Sequence, residues 1–579
     1  YVVPVNEMER IYGSYLMYKE GQSILEFIAQ RFGPEKILLL MENFWKASSF
    51  TEVLKLTIGK TYKEFDEEWI YALKKRYYPV LAQNDLPSGV AKSIIDVGFN
   101  SKPLFFNREG KRELYFIGNH TGYSSIYRVD LDKEKPEPEM VVQGENTHEF
   151  EAFHLLQNKL DISRNGLMAF VTKSGETDVL HLYDLKSDRL RETLRFLDLV
   201  VLGSPSWSPD GKRITFSSID KAGRSDLYIF DMTTRSLARL TNDFYEDRDP
   251  AWSPDGTTIV FTSDRDPYGK QGYMNLFTYD LTSAEIEYLT IGQANFTAPA
   301  WSPDGKLLTF TSDIDGARNV WVMEMDRLKL GRTMKKLTHF STAAFDPGWT
   351  DNDEMVFAAF ENFSFQIKKI KEVSSLLNSA KITHGFRYDV TKEPWDAPKV
   401  EASSVVGDFR YTGEYRLDLA QSQISTDPVF GTTGGAAVAM SDVLGNDQYY
   451  FLLYNSAQAR SEFLSSFNIA MSHISLGRRT NYNYGIFHFA GDRYDLTDPN
   501  LFYYERSFGG YFVLSYPLSQ LRRIEAGLTI SNSDKDIYVE TVPRKAVLVS
   551  SSFSFTSDNS LWGPTGPMDG SRARLTLAY

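Results

Sequence analysis

A chain of 579 residues is longer than one hydrophobic core supports, so several domains are expected. The net charge of −13 argues against general nucleic-acid binding, which needs a basic face. There is no cysteine, so a disulfide framework and a thiolate site are both excluded. No apolar run reaches the ~18 residues of a membrane-spanning helix. Aromatic residues make up 14%, with 33 Tyr and 39 Phe, which suits β-sheets and membrane-interface girdles. The chain opens at Tyr1 with nothing like a signal peptide after it, and it reads as a fragment.

Residues 1–82 have a helical pattern. Between Ser14 and Phe32, apolar residues such as Leu16, Ile24, Leu25, Phe27, Ile28 and Phe32 fall mostly three or four apart. Gly33-Pro34 breaks that helix. A second follows through Lys36 to Trp45, and a third from Tyr62 to Tyr77 sets Phe65, Trp69, Ile70 and Leu73 on one face.

Residues 90–373 change to short strands in repeats. Ser204-Pro205-Ser206-Trp207-Ser208-Pro209-Asp210-Gly211 recurs around Trp252 and Trp301, with a worn copy at Asp346-Pro347-Gly348-Trp349. In the turn, Pro sets φ, Asp bonds its own backbone and Gly accepts positive φ, so the chain reverses tightly. Each copy continues into two strands and a closing Leu-Thr pair, at Leu240-Thr241, Leu289-Thr290 and Leu337-Thr338. Four strands in a period of roughly 40–50 residues is propeller spacing. Two worn units precede the sharp ones, at Gly110–Leu131 and Asp161–Leu185, which makes six blades. These residues resemble the TolB-like propeller with PD40, or WD40-like, repeats. The repeated Asp and Trp residues sit where every blade needs a turn, so they are read as structural.

Residues 374–404 read as a linker, and 405–579 as longer, alternating strands. Ile524, Ala526, Leu528 and Ile530 point one way; Glu525, Gly527, Thr529 and Ser531 point the other. Segments near ten residues, apolar on one face and polar on the other, fit a transmembrane β-barrel, with Tyr449, Tyr450, Tyr482, Tyr484, Tyr503, Tyr504 and Trp562 as girdle residues. A soluble antiparallel sandwich shows the same alternation. Gly434-Gly435-Ala436 through Asn446 looks like the early hairpin of propeller-fused outer-membrane proteins. Asp558 through Arg572 resembles a strand start of the surface-antigen (D15, Omp85/BamA-like) barrel. That family has more strands than the eight or nine counted here, and its Arg-Gly-Phe/Tyr loop is absent, so the barrel reads as incomplete. The terminal aromatic Tyr579 leaves a small complete barrel open.

The first 80 residues are similar to the tail of a gluzincin-like (peptidase MA) domain. The resemblance rests on Tyr18-Lys19-Glu20-Gly21-Gln22-Ser23, Phe27-Ile28, Arg31-Phe32-Gly33, the Phe50-Val53-Leu54 run and Phe65-Glu67-Glu68-Trp69. It implies a zinc motif H-E-x-x-H upstream of Tyr1. Within the chain, His148 and His154 are six apart and do not share a helical face. No Gly-x-Ser-x-Gly elbow, P-loop or dinucleotide fingerprint occurs.

The expected fold is therefore mainly β: a six-bladed propeller with an N-terminal helical segment and a C-terminal, partial transmembrane β-barrel. No catalytic residue, resident metal or cofactor is assigned, and zinc belongs only to an upstream part. Residues just before each x-Pro-x-Trp strand are expected to ring one channel mouth: Glu246, Asp247, Arg248, Asp249, Asn295, Thr297 and Asp346. They make either a polar, mostly acidic site for a peptide, protein or cation, or ordinary solvated loops. The expected function is a non-catalytic envelope protein, with a periplasmic propeller binding protein or peptide and a barrel set in outer-membrane lipid. The rivals are a membrane-anchored zinc metallopeptidase and a soluble propeller–sandwich scaffold. No nucleic-acid partner is expected.

Overall fold

Capping chemistry sets the ends of the N-terminal helices. The computed structural model describes residues 2–47, 49–145, 147, 149–154, 158–265, 269–325, 333–380, 382–383, 414–427, 431–455, 466–494, 502–537, 544–563 and 566–579. Helix Tyr15–Phe32 starts where the Ser14 hydroxyl accepts from the Met17 N–H and stops at Gly33, whose φ is 105°. Helix Tyr62–Gln83 begins with a reciprocal capping box between Thr61 and Glu64. Between them lie Glu35–Asn43 and Phe50–Ile58, the second being a helix the periodicity does not single out. Ile24, Ile28, Leu40, Val53, Leu54, Phe65 and Trp69 form one core for this module.

Six antiparallel sheets follow, arranged as propeller blades. Their inner strands are Asn100–Arg108, Asp161–Ile162, Leu199–Trp207, Asp247–Trp252, Phe296–Trp301 and Ala343–Trp349. The sixth blade is completed by Lys92–Ile95, which pairs with Ser364–Ile370, so the two ends of the propeller share one sheet. The repeated turn works as its residues require. Ser208 Oγ donates to Asp210 Oδ1 at 2.6 Å, and the same carboxylate takes the Lys212 N–H at 3.1 Å. Ser253/Asp255 and Ser302/Asp304 repeat this geometry at 2.6 Å. The Leu-Thr pairs complete the hydrogen bonding between strands. Thr241, Thr290 and Thr338 accept at Oγ1 from the N–H groups of Leu227, Leu276 and Val320 at 2.8–2.9 Å. Each hydroxyl thereby satisfies a buried donor in the neighbouring third strand. Between successive blades lie six apolar seams, in which Phe116, Phe170, Phe216, Phe261, Phe310 and Phe357 are fully buried.

The stretch expected to be a plain linker begins with structure of its own. Helix Val373–Ser379 buries Val373 and Leu377, and Ile382–Thr383 adds a fifth strand to the fifth blade by pairing with Met334–Lys336. Apolar residues at helical spacing, set against the last two blades, account for the difference. Residues 384–404 lie outside the described residues.

The C-terminal part is a nine-stranded antiparallel sheet in sequence order, from Tyr415–Asp427 to Arg572–Ala578. Its register puts Tyr449, His473, Tyr484, Phe512 and Leu528 in one row, and Phe451, Met471, Ile486, Gly510, Ile530 and Val549 in the next on that face. The opposite face carries Tyr450, Ser472, Gly485, Tyr511, Thr529 and Ser550 in one row, and Leu452, Ala470, Phe487, Gly509, Ser531 and Leu548 in the next. On the apolar face Ile469, Tyr484, Ile486, Phe512, Leu528, Ile530 and Val549 are exposed. Among the described residues the first and last strands do not pair, so the sheet is open. Among the described residues no helix is long and apolar enough to cross a membrane.

Candidate functional site: the propeller channel

A bulge interrupts the inner strand in five of the blades, each time next to proline. The residues before Pro103, Pro205, Pro250, Pro299 and Pro347 are Lys102, Ser204, Asp249, Ala298 and Asp346, all with φ between 45° and 54°. The register skips there in every case. A bulge re-aims one side chain out of the ladder, and positive φ at a non-glycine residue is costly enough to need surrounding support. Counting back from the turn, Lys159 holds the equivalent place in the worn second blade, where Leu160 stands for the proline.

These six positions form a ring round the channel. Lys102 Nζ donates to Asp346 Oδ1 at 2.7 Å, joining blades one and six. Ser204 Oγ donates to Asp249 Oδ1 at 2.6 Å, joining blades three and four. Lys159 Nζ reaches past blade three to the Pro250 carbonyl at 2.6 Å. Burial pulls the Lys102 pKa down, but Asp346 and Asp249 outweigh it and hold it above the ordinary lysine value. For Lys159 burial wins and the pKa is lowered, with Asp249 and Asp161 opposing. The ring carries two ammonium groups and two carboxylates.

The residues expected at the mouth divide in two. Asp249 and Asp346 are ring members. Glu246 is half-buried and pairs with the exposed Arg248; Asn295 binds Asp313 through its N–H and its side-chain amide at 2.7 and 2.9 Å; Thr297 is partly buried beside Ala298. Asp247 lies in the blade interior at 0% side-chain exposure, because its strand turns that side chain into the seam. There Arg265, 1% exposed, meets both Asp247 oxygens at 2.6 Å and Asp243 at 3.2 Å, while Arg239 pairs with Asp226. Carboxylate oxygens of Asp226, Asp243 and Asp247 come within 4.8 Å of one another, a spacing a metal ion could use. The two guanidinium groups already supply positive charge to that cluster. Burial nevertheless pushes the Asp247 carboxyl up to about 6. His154, half of the His pair considered above, binds Asp178 at 3.0 Å, and His148 lies outside the described residues.

Lys102, Lys159, Ser204 and Ala298 escaped the sequence reading. A signal was present for three of them: each precedes the proline of an inner strand. Lys159 gave none, because its blade has lost the proline.

The C-terminal sheet touches the channel-mouth side of the propeller. Arg479 pairs with Glu176, the Gln520 N–H donates to Glu151 at 3.1 Å, and Tyr123 Oη donates to the Asn559 carbonyl at 3.2 Å. The same Arg479 binds the carbonyls of Pro517 and Leu518, at 3.1 and 3.2 Å, and so ties two sheet turns to the propeller.

Residues 161–271 match the family described as the TolB beta propeller domain, PD40. Among solved structures, TolB from Acinetobacter baumannii is 17% identical, covering 54% of this chain and 71% of its own at a TM-score of 0.33. An oligogalacturonate lyase in complex with manganese is 13% identical, covering 48% and 91% at 0.36. A gluconolactonase from Xanthomonas campestris is 11% identical, covering 48% and 89% at 0.36. No curated protein matches. The chain carries a TolB-like PD40 β-propeller with six blades.

Proposed function

We propose that this chain is a non-catalytic envelope protein whose propeller binds protein or peptide in the periplasm and is anchored in the outer membrane by its C-terminal strands. The two-faced sheet is the observation that carries the reading. Its outward row of Ile, Leu, Phe and Val is exposed across several adjacent strands, well beyond the scattered apolar residues of a soluble surface. Its other face sets Ser472, Gly485, Gly509, Thr529, Ser531 and Ser550 among Tyr450, Phe487 and Tyr511, a more polar lining of the kind the lumen side of a transmembrane barrel has. Three turns on the propeller side, at 443–446, 476–480 and 518–521, are short, while the connection 559–571 on that side is longer. Short turns belong to the periplasmic end of such barrels. The TolB-like propeller supports an envelope-associated, protein-binding role.

Reconstitution tests this reading. The chain, refolded in detergent and mixed with phospholipid vesicles, is expected to float with them and to resist extraction at high salt. A protein that stays soluble without detergent and remains in the dense fraction would be a propeller–sandwich scaffold instead.

A second reading, the membrane-anchored zinc metallopeptidase, draws on the helical module. Tyr12, Tyr15, Tyr18, Phe44 and Trp45 are exposed there, a surface that the remainder of a peptidase domain would cover. Chelator-sensitive proteolysis by the protein purified from its native source would favour it; protease activity indifferent to chelators, or none, would remove it.

A further inference from the structure

The acids near the upper end of the channel are engaged. Asp346 holds Lys102, Asp249 takes the Ser204 hydroxyl, Glu246 pairs with Arg248, Asp313 binds Asn295 and Asp315 pairs with Lys336. The cations are not all engaged. Lys159 meets one carbonyl and, among the described residues, no carboxylate at ion-pair distance. Arg318 lies in the turn between Leu307–Ser312 and Asn319–Glu324, on the mouth side. Its carbonyl accepts from the Ala344 N–H at 2.8 Å, at the start of the strand that carries Asp346. Its side chain is exposed and has no partner among the described residues. Arg318 is near enough for its charge to pull the Lys102 pKa down, against the two aspartates. Between Asp249 and Asp346, Ala298 contributes only a methyl group, so the ring is open at the fifth blade, the blade whose mouth-side turn carries Arg318.

We propose that the upper end of the channel is a carboxylate-binding site, with Arg318 gripping the anion at the mouth and Lys159 meeting it in the throat. This rests on the peptide-binding reading above and gives it a ligand class: a chain-terminal carboxylate or an Asp/Glu side chain. A guanidinium presents two parallel donors that match a carboxylate, and charge-assisted hydrogen bonds are the strong ones. A ring whose own charges balance leaves the exposed cation to choose the ligand.

Fluorescence anisotropy with the full chain in detergent tests it. The probes are dye-labelled octapeptide pools of random sequence without Asp or Glu, made as free acids or as C-terminal amides, and an amide pool with one fixed central Glu. At least one carboxylate-bearing pool is expected to bind about tenfold more tightly than the plain amide pool, the size of one charge-assisted bond. Preference for the free-acid pool identifies a chain end as the ligand; preference for the Glu pool identifies a side chain. Arg318→Gln, at an exposed and unpaired position, and Lys159→Met should each bring that affinity down to the amide level. Equal binding of all pools, or a preference that survives both substitutions, overturns the carboxylate site and leaves peptide binding intact. Binding of no pool removes both.

Discussion

Lys102 in the first blade and Asp346 in the sixth meet at 2.7 Å, so the seam where the propeller closes carries an ion pair as well as a shared sheet. Both side chains are largely buried, at 11% and 14% exposure. Breaking one half of such a pair strands the other. Asp346→Leu is expected to cost about 3 kcal/mol, and adding Lys102→Met should recover much of it. Urea denaturation followed by tryptophan fluorescence measures both. If the double variant proves no better than the single one, the pair is not what holds this seam.

Arg265 supports the blade interior by charge. Arg265→Met removes the cation that Asp243 and Asp247 share and leaves only Arg239, on Asp226, in the cluster, with an expected loss of about 3–5 kcal/mol near neutral pH. The pH dependence has a definite sign. Asp247 is already pushed up to about 6 by burial, so the folded state takes up its proton before the unfolded state does. Folding at this carboxyl therefore becomes more favourable as pH falls from about 6 toward the ordinary aspartate range. Arg265 holds that value down, so without it the same carboxyl takes its proton at still higher pH; the variant's deficit should narrow as pH falls toward about 6, and a deficit independent of pH would contradict the account.

His181 works in the opposite direction. It is 1% exposed, lies between Thr172 and Thr193, and is pushed down to about 4 by burial. An unfolded chain gains the proton near the ordinary histidine value, so this site loses stability as pH falls. Between about pH 7.5 and pH 5 the loss amounts to about 2 kcal/mol. In His181→Gln that portion of the acid sensitivity should vanish, as read by denaturation midpoints at the two pH values.

The Leu-Thr clamp can be tested by a near-isosteric change. Thr290→Val keeps the shape but leaves the Leu276 N–H without its acceptor at 2.8 Å. The expected cost is about 1–3 kcal/mol, with Thr290→Ser much milder. A valine variant as stable as wild type would show that the hydroxyl is dispensable.

Ile530 and Thr529 are neighbours on opposite faces of the C-terminal sheet. Under the membrane reading, Ile530→Arg faces lipid and should cost about 2–4 kcal/mol of folding in vesicles, while Thr529→Arg faces the polar side and is tolerated. Equal effects of the two substitutions would argue against a lipid-facing row.

Much of this architecture was legible in the chain. Ser-Pro-Asp-Gly turns recur because every blade needs the same reversal, and local turn chemistry leaves a local signature. Strand alternation showed in the same way, since side-chain direction follows residue parity. The ring was half visible. Asp249, Ser204 and Ala298 stood in full copies of the motif and Asp346 in a worn one, while Lys102 shared its proline without the surrounding Trp-Ser-Pro. Lys159 had lost even that, and only the register beside Ala169 puts it in line. Asp247 shows the limit of motif position: one residue from Glu246 and two from Asp249, it turns into the seam toward Arg265. Sequence by itself determined the six blades, their turns and the two-faced strands. The tertiary structure decided which charges meet, because partners such as Lys102 and Asp346 lie 244 residues apart and come together only when the ring closes.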